Sequence, residues 1–157
     1  MKARSPAFPL AALAAVVLTG LSAPAMAHDV KFSAGEPGDP KKPSRTIEIA
    51  MREEYGLQIF EPKRIEVKRG EQIRFVLRNE GENDHEFMLA TTKENLAHAE
   101  VMRKHPNMEH DDPNGITLKP GKSGALVWRF TKRGTFEYAC LFPGHREDGM
   151  HGTIVVK

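Results

Sequence analysis

Hydrophobic and polar residues alternate in short runs along most of the chain after residue 44, as is typical of half-buried β-strands. Turn signals such as Arg69-Gly70, Pro120-Gly121 and Arg133-Gly134 separate the runs. The predicted strands cover residues 46–51, 55–60, 64–68, 72–79, 85–90, 115–118, 125–130, 135–140 and 152–156. One helix is predicted over 94–105, before Pro106. Many short strands with one inserted helix predict an all-β fold, either a sandwich or a barrel.

The N-terminal residues do not follow this pattern. Two basic residues precede an apolar run over 8–21, and Ala25-Met26-Ala27 matches the small-x-small cleavage pattern of a secretory signal. We therefore predict a signal peptide over 1–27, an irregular leader rich in Pro and Gly over 28–44, and one domain over 45–157. Such a chain is expected in the periplasm, free of the membrane after cleavage; an uncleaved anchor is the alternative.

The charge balance narrows the choice of partners. The chain has 23 Lys+Arg and 21 Asp+Glu, and residues 1–27 hold two of the basic residues and none of the acidic ones. The remaining chain therefore carries 21 of each sign, which gives no support for binding nucleic acid or anionic lipid. Cys140 is the single cysteine, so an exported protein of this sequence cannot form an internal disulfide. That thiol is then either buried or bound to a metal.

Three candidate metal ligands lie on one segment near the C-terminus. Cys140 is followed by His145 and then by Met150, at intervals of five residues. His85, at the start of a predicted strand, supplies a second imidazole. Two His and one Cys in a trigonal arrangement, with a weak axial Met, form a mononuclear copper site for electron transfer. Taken singly, the same residues could be a buried cysteine, surface histidines and a core methionine.

These segments resemble the cupredoxin family. Residues 79–87, with the pattern Asn-x-Gly-x3-His-Glu-Phe, are similar to its first-ligand segment, and residues 136–154 are similar to the azurin version of its ligand loop. The turn at 118–123 also matches. The resemblance covers about residues 45–157. It implies a Greek-key β-sandwich, one copper that changes between Cu(I) and Cu(II), and redox partners that dock near His145, the ligand closest to the surface.

The sequence departs from the family pattern at three points. Glu86 follows the first histidine where Asn is common, and Leu141 follows the cysteine where Ser or Thr is common. The loop between His145 and Met150 is one residue longer than in azurin. Neighbours of metal ligands tune the geometry and potential of a site. We therefore predict a perturbed site that is green rather than blue.

A second group of His and Met residues is a candidate site for additional copper. The spacing of His98, Met102 and His105 places them on one face of the predicted helix, and imidazole with thioether ligands suits Cu(I). The group also includes Met108, His110 and His28, the last of which cleavage after Ala27 would leave at the N-terminus. The alternative is that Met102 packs in the core while the histidines are solvated.

Two functions fit these observations. One is a carrier of single electrons, which is not an enzyme; the other is a copper-tolerance protein that binds or oxidises periplasmic Cu(I), with help from the second group. A multicopper oxidase or nitrite reductase is disfavoured, because those enzymes carry a histidine beside the ligand cysteine. This chain has Ala139 and Leu141 there, and a single predicted domain.

Overall fold

The computed structural model describes residues 31–105 and 112–157. Within them the chain forms ten strands and one helix. In chain order they are β1 (Glu36–Pro37), β2 (Arg45–Glu54), β3 (Leu57–Glu61), β4 (Arg64–Val67), β5 (Gln72–Asn79), β6 (His85–Ala90), α1 (Thr92–Lys104), β7 (Gly115–Leu118), β8 (Ser123–Arg129), β9 (Gly134–Ala139) and β10 (His151–Val156).

The strands form two five-stranded sheets, which confirms the predicted β-sandwich. One sheet has the order β1-β8-β5-β2-β3 and the other β4-β10-β9-β6-β7. Most neighbours are antiparallel, whereas β2 with β5 and β4 with β10 are parallel pairs. The chain therefore crosses between the sheets several times, and residues distant in sequence meet at the ends of the strands.

The alternating pattern buries one face of each sheet. In β5 the side chains of Ile73, Phe75 and Leu77 are fully buried, and they alternate with more exposed neighbours. The core between the sheets is rich in aromatic rings, and Phe87 stacks on Tyr138 with 5.2 Å between ring centroids. Burial of apolar side chains such as these is the main favourable contribution to the free energy of folding.

Strand β6 is buried along its whole length because both of its faces are covered. Its inner face enters the core, and helix α1 packs on the outer face, where Met88 and Met102 share a hydrophobic cluster with Ala139 and Leu141. A capping box between Thr91 and Glu94 fixes the start of the helix.

Two segments differ from the sequence predictions. Strand β2 continues to Glu54, three residues beyond the predicted end, because it forms a hairpin with β3. The leader, predicted to be irregular, contains the short strand β1 and packs on the domain: Ala34 is fully buried, and its carbonyl accepts a hydrogen bond from Trp128 Nε1 at 3.3 Å. A segment rich in Gly and Pro has no hydrophobic period, so this packing leaves no pattern in the sequence.

The predicted signal peptide lies outside the described residues. Within 31–105 and 112–157, the structure contains no helix with the length and hydrophobicity needed to span a bilayer.

Candidate metal centre

Three predicted ligands meet at one end of the sandwich. Candidate ligand atoms of His85, Cys140 and His145 all lie within 4.8 Å of one another, and Cys140 Sγ is 3.3 Å from His145 Nδ1. His85, Cys140 and Met150 are completely buried, whereas His145 is partly exposed. The fold thus gathers the chemistry predicted from the sequence in one place.

A polar turn brings His85 to the site. Asn79, buried at the end of β5, donates from Nδ2 to the carbonyls of Asn83 and Leu118 at 2.7 and 2.9 Å, and its Oδ1 accepts from Gly81 N at 3.0 Å. His85 then begins β6 opposite Leu118 of β7. One buried amide therefore fixes both ends of the turn that precedes the ligand.

Cys140 follows the last residue of β9, where two neighbours hold it. Its backbone N–H donates to the carbonyl of Met150 at 3.0 Å. Its sulfur lies 3.4 Å from the backbone N–H of Glu86, which donates to it. The buried carboxylate of Glu86 in turn accepts from the backbone N–H of Leu141 at 3.3 Å, so one departure from the family pattern bonds the residue next to the thiol.

The loop from Cys140 to Met150 is closed by its own backbone. Met150 N donates to the carbonyl of His145 at 2.9 Å, and Asp148 N donates to that of Gly144 at 2.9 Å. Gly144 and Gly149 have φ values of 90° and 104°, a region that favours glycine. Together these bonds place Met150 beside both Cys140 and His145.

Sequence reasoning missed a carboxylate beside the first ligand. Oε1 of Glu53 lies 3.0 Å from Nε2 of His85, although the two groups are not aligned for a hydrogen bond. Burial opposes the negative charge of Glu53, but hydrogen bonds from Glu82 and Asn83 outweigh that effect and hold its pKa below the usual range. No signal in the sequence marks this residue, because it lies 32 positions from the histidine.

An ion pair connects the ligand loop to helix α1. Arg146, next to His145, donates from Nε and Nη2 to the buried carboxylate of Glu137 at 3.1 and 2.8 Å. Asn95 and Thr92 of the helix donate to the same carboxylate, each at 3.2 Å. Burial disfavours the charge on Glu137, but these bonds more than compensate, so the pKa of its carboxyl is lowered. Sequence reasoning did not predict this pair either.

Burial sets the protonation of the candidate ligands. It lowers the pKa values of His85 and His145, which keeps both imidazoles neutral at pH 7, and it raises the pKa of the Cys140 thiol to about 12. Both ring nitrogens of His85 are buried without a hydrogen-bond partner; Nε2 faces the Glu53 carboxylate, which leaves the lone pair of Nδ1 for a metal. A metal would use that lone pair and displace the thiol proton, so the donor set fits copper.

The described members of the second predicted group of His and Met residues lie in different environments. Met102 is buried against Met88 and Leu141, and His105 is exposed at the end of α1. His98 lines a cavity of about 210 Å³ together with Met88 and Asp112. Met108, His110 and His28 lie outside the described residues. The core position of Met102 agrees with the alternative interpretation of that residue.

Known proteins resemble the chain along most of its length. A model of copper-binding proteins of the plastocyanin/azurin family matches residues 45–157, the range of the predicted resemblance. A copper-resistant cuproprotein, CopI, of Rubrivivax gelatinosus is 47% identical over 133 residues, which is 85% of this chain and 79% of that protein. CopI of Pseudomonas aeruginosa is 36% identical, covering 90% of this chain and 91% of that protein.

Among solved structures, a reduced auracyanin of Roseiflexus castenholzii has the same fold. The two superpose with a TM-score of 0.61 at 23% sequence identity, and the match covers 73% of this chain and 98% of that one.

Proposed function

Because the chain belongs to the plastocyanin/azurin family of copper-binding proteins, we propose that it is an exported type 1 copper protein that takes up and gives up single electrons. One observation carries the proposal: His85, Cys140 and His145 converge within 4.8 Å, with Met150 buried beside them. Copper held by such a set supplies one-electron chemistry between Cu(I) and Cu(II).

The protein contributes rigidity and exclusion of water. His85 and Cys140 lie at the ends of paired strands, and backbone hydrogen bonds close the loop that carries the other two ligands. Little of the frame therefore needs to move when the charge at the site changes. Because His145 is the partly exposed ligand, we propose that redox partners dock around it, beside Phe142 and the exposed Pro143.

The test of this function is reversible one-electron cycling. Addition of a chemical reductant to the copper-loaded protein should bleach the visible band, and a one-electron oxidant should restore it at one electron per copper. A copper that cannot be reduced and reoxidised without loss from the protein would contradict the proposal. The buried Glu86 carboxylate, which accepts from the backbone N–H next to Cys140, supports the prediction of a green site, which a purely blue spectrum would rule out.

The second candidate function is copper tolerance, which the relatives called copper-resistant favour. In that role the protein binds or oxidises periplasmic Cu(I), and the group around α1 provides further ligands. His98 and Met88 line one cavity, which brings an imidazole and a thioether together. If Cu(I) is a substrate, it gives up one electron, and an external one-electron acceptor is needed for turnover.

Copper stoichiometry separates the two functions. We would compare the unaltered protein with a variant in which His98, His105, Met108 and His110 are replaced by Ala, both titrated with Cu(I) under anaerobic conditions. More than one copper in the unaltered protein and one in the variant supports the tolerance role. A stoichiometry of one in both proteins leaves only the electron carrier.

A further inference from the structure

Glu53 occupies an unusual position next to the predicted copper ligand His85. It is the penultimate residue of β2 (Arg45–Glu54), in the sheet opposite the one that contains His85. Its side chain is 23% exposed, and its Oε1 lies 3.0 Å from Nε2 of the fully buried imidazole. A carboxylate thus reaches across the end of the sandwich to the back of a ligand.

The carboxylate is held in place independently of the histidine. It accepts from the backbone N–H groups of Glu82 and Asn83 at 2.9 and 3.2 Å, and from Asn83 Nδ2 at 2.9 Å. A Cβ at Gly81 would collide with it, so the turn before His85 is shaped around this group. Three donors therefore fix the oxygen atoms before any metal binds.

The position of Glu53 determines which ring nitrogen is free. An ionised carboxylate accepts hydrogen bonds and cannot donate them, so the proton of the neutral imidazole is favoured on Nε2. Both ring nitrogens are buried without a hydrogen-bond partner, but Nε2 is the one 3.0 Å from the carboxylate, so Nδ1 keeps its lone pair. A carboxylate behind a ligand histidine orients the ring and raises its basicity.

We propose that Glu53 is a positioning residue of the copper centre, which orients His85 and uses its negative charge to favour Cu(II) over Cu(I). The inference rests on the copper site proposed above. Its physical basis is the extra positive charge of Cu(II), which a nearby carboxylate in a partly buried site stabilises more than it stabilises Cu(I). Glu53 therefore lowers the reduction potential of the site.

The experiment replaces Glu53→Gln, which keeps the length of the side chain and an amide oxygen for the turn but removes the charge. The matched control is Glu54→Gln, which removes the adjacent carboxylate, 46% exposed and 3.6 Å from Arg52. Both variants and the unaltered protein are loaded with copper. The reduction potential, the visible spectrum and the urea stability of the copper-free form are then measured for each.

We expect Glu53→Gln to lower the affinity for Cu(II) relative to Cu(I) by about tenfold. For a one-electron couple this corresponds to a potential raised by about 59 mV. Glu54→Gln should match the unaltered protein. Glu53→Asp keeps the negative charge but moves it away from His85, so it should give an intermediate potential. This variant serves as the test if Glu53→Gln does not fold.

An unchanged potential and spectrum in Glu53→Gln and Glu53→Asp would overturn the inference, even with lower urea stability, since Glu53 would then only support the turn. Failure of the unaltered protein to bind copper would overturn the proposed function together with this inference.

Discussion

The ligand end of the sandwich and helix α1 carry the same kinds of side chain, but the fold arranges them differently. At the ligand end, two His, one Cys and one Met come from a strand start, a strand end and a closed loop, and three of the four are fully buried. Along α1, the sulfur of Met102 enters a hydrophobic cluster while His105 is exposed to solvent.

The difference shows what spacing on one element can and cannot predict. Side chains at helical intervals share a face, but on a helix packed against a sheet that face is divided between the core and solvent. Ligands from separate strands are instead fixed at one point by the pairing of those strands. Convergence of rigid elements, rather than the number of His and Met residues, therefore distinguishes the proposed copper centre from the group on α1.

The largest expected difference between the two regions is in the effect of replacing a histidine on the visible band. His145→Gly should abolish the visible thiolate-to-copper band, because it removes a ligand that no described neighbour replaces. Added imidazole should restore the band, since His145 is partly exposed and its removal opens a path from solvent. His98→Ala on α1 should leave the band unchanged. Equal loss in both variants, measured by titration with Cu(II), would contradict the comparison.

The ion pair of Arg146 with Glu137, the carboxylate to which α1 also donates, should have the next largest effect. Arg146→Met leaves the carboxylate of Glu137 buried without its cation, and should lower the free energy of unfolding by about 3 kcal/mol. Glu137→Gln in the same chain should recover part of that loss. Urea unfolding of the two single variants and the double variant gives the coupling energy. Purely additive losses would show that Arg146 and Glu137 do not stabilise each other.

Removal of a core side chain from α1 tests the other side of the comparison. Met102→Ala should lower the free energy of unfolding by about 2–4 kcal/mol, because Met102 is 3% exposed and the variant leaves a cavity against Met88. Met102→Leu, which conserves volume, should cost less than about 1.5 kcal/mol. Both variants should retain the thiolate-to-copper band. Loss of the band in Met102→Leu would make α1 part of the centre.

The smallest effect is the pH dependence of the copper-free protein. The pKa values of His85 and His145 are lowered in the folded state, chiefly by burial, so between those values and about 6.5 the unfolded chain binds more protons. Stability should therefore be complete above pH 6.5 and should decrease as the pH falls towards 5.

Protonation of the carboxyl groups with lowered pKa values should destabilise the protein only below about pH 4.5. A loss of stability between about pH 6.5 and 5 is therefore assigned to the histidines. Urea unfolding across this window is the measurement, with the double variant His85→Ala and His145→Ala as the control. A flat profile in the unaltered protein, or the same slope in the double variant, would show that the imidazoles do not cause the effect.

The class of fold, and the proximity of His85, Cys140 and His145, could be predicted from the sequence, because alternation and motif spacing are local signals. It did not reveal Glu53, Glu137 or the burial of Ala34, since those depend on which strands become neighbours across the two sheets. The extra length of β2 illustrates the same limit, because the pairing with β3, rather than the local pattern, extends it to Glu54.

The most direct test of the copper centre is a titration of the metal-free protein with Cu(II), followed by visible absorption. We predict an intense thiolate-to-copper band that saturates at one equivalent and is absent from Cys140→Ser. Absence of that band in the unaltered protein, or its persistence in Cys140→Ser, would contradict the assignment of Cys140, His85, His145 and Met150 as the ligands.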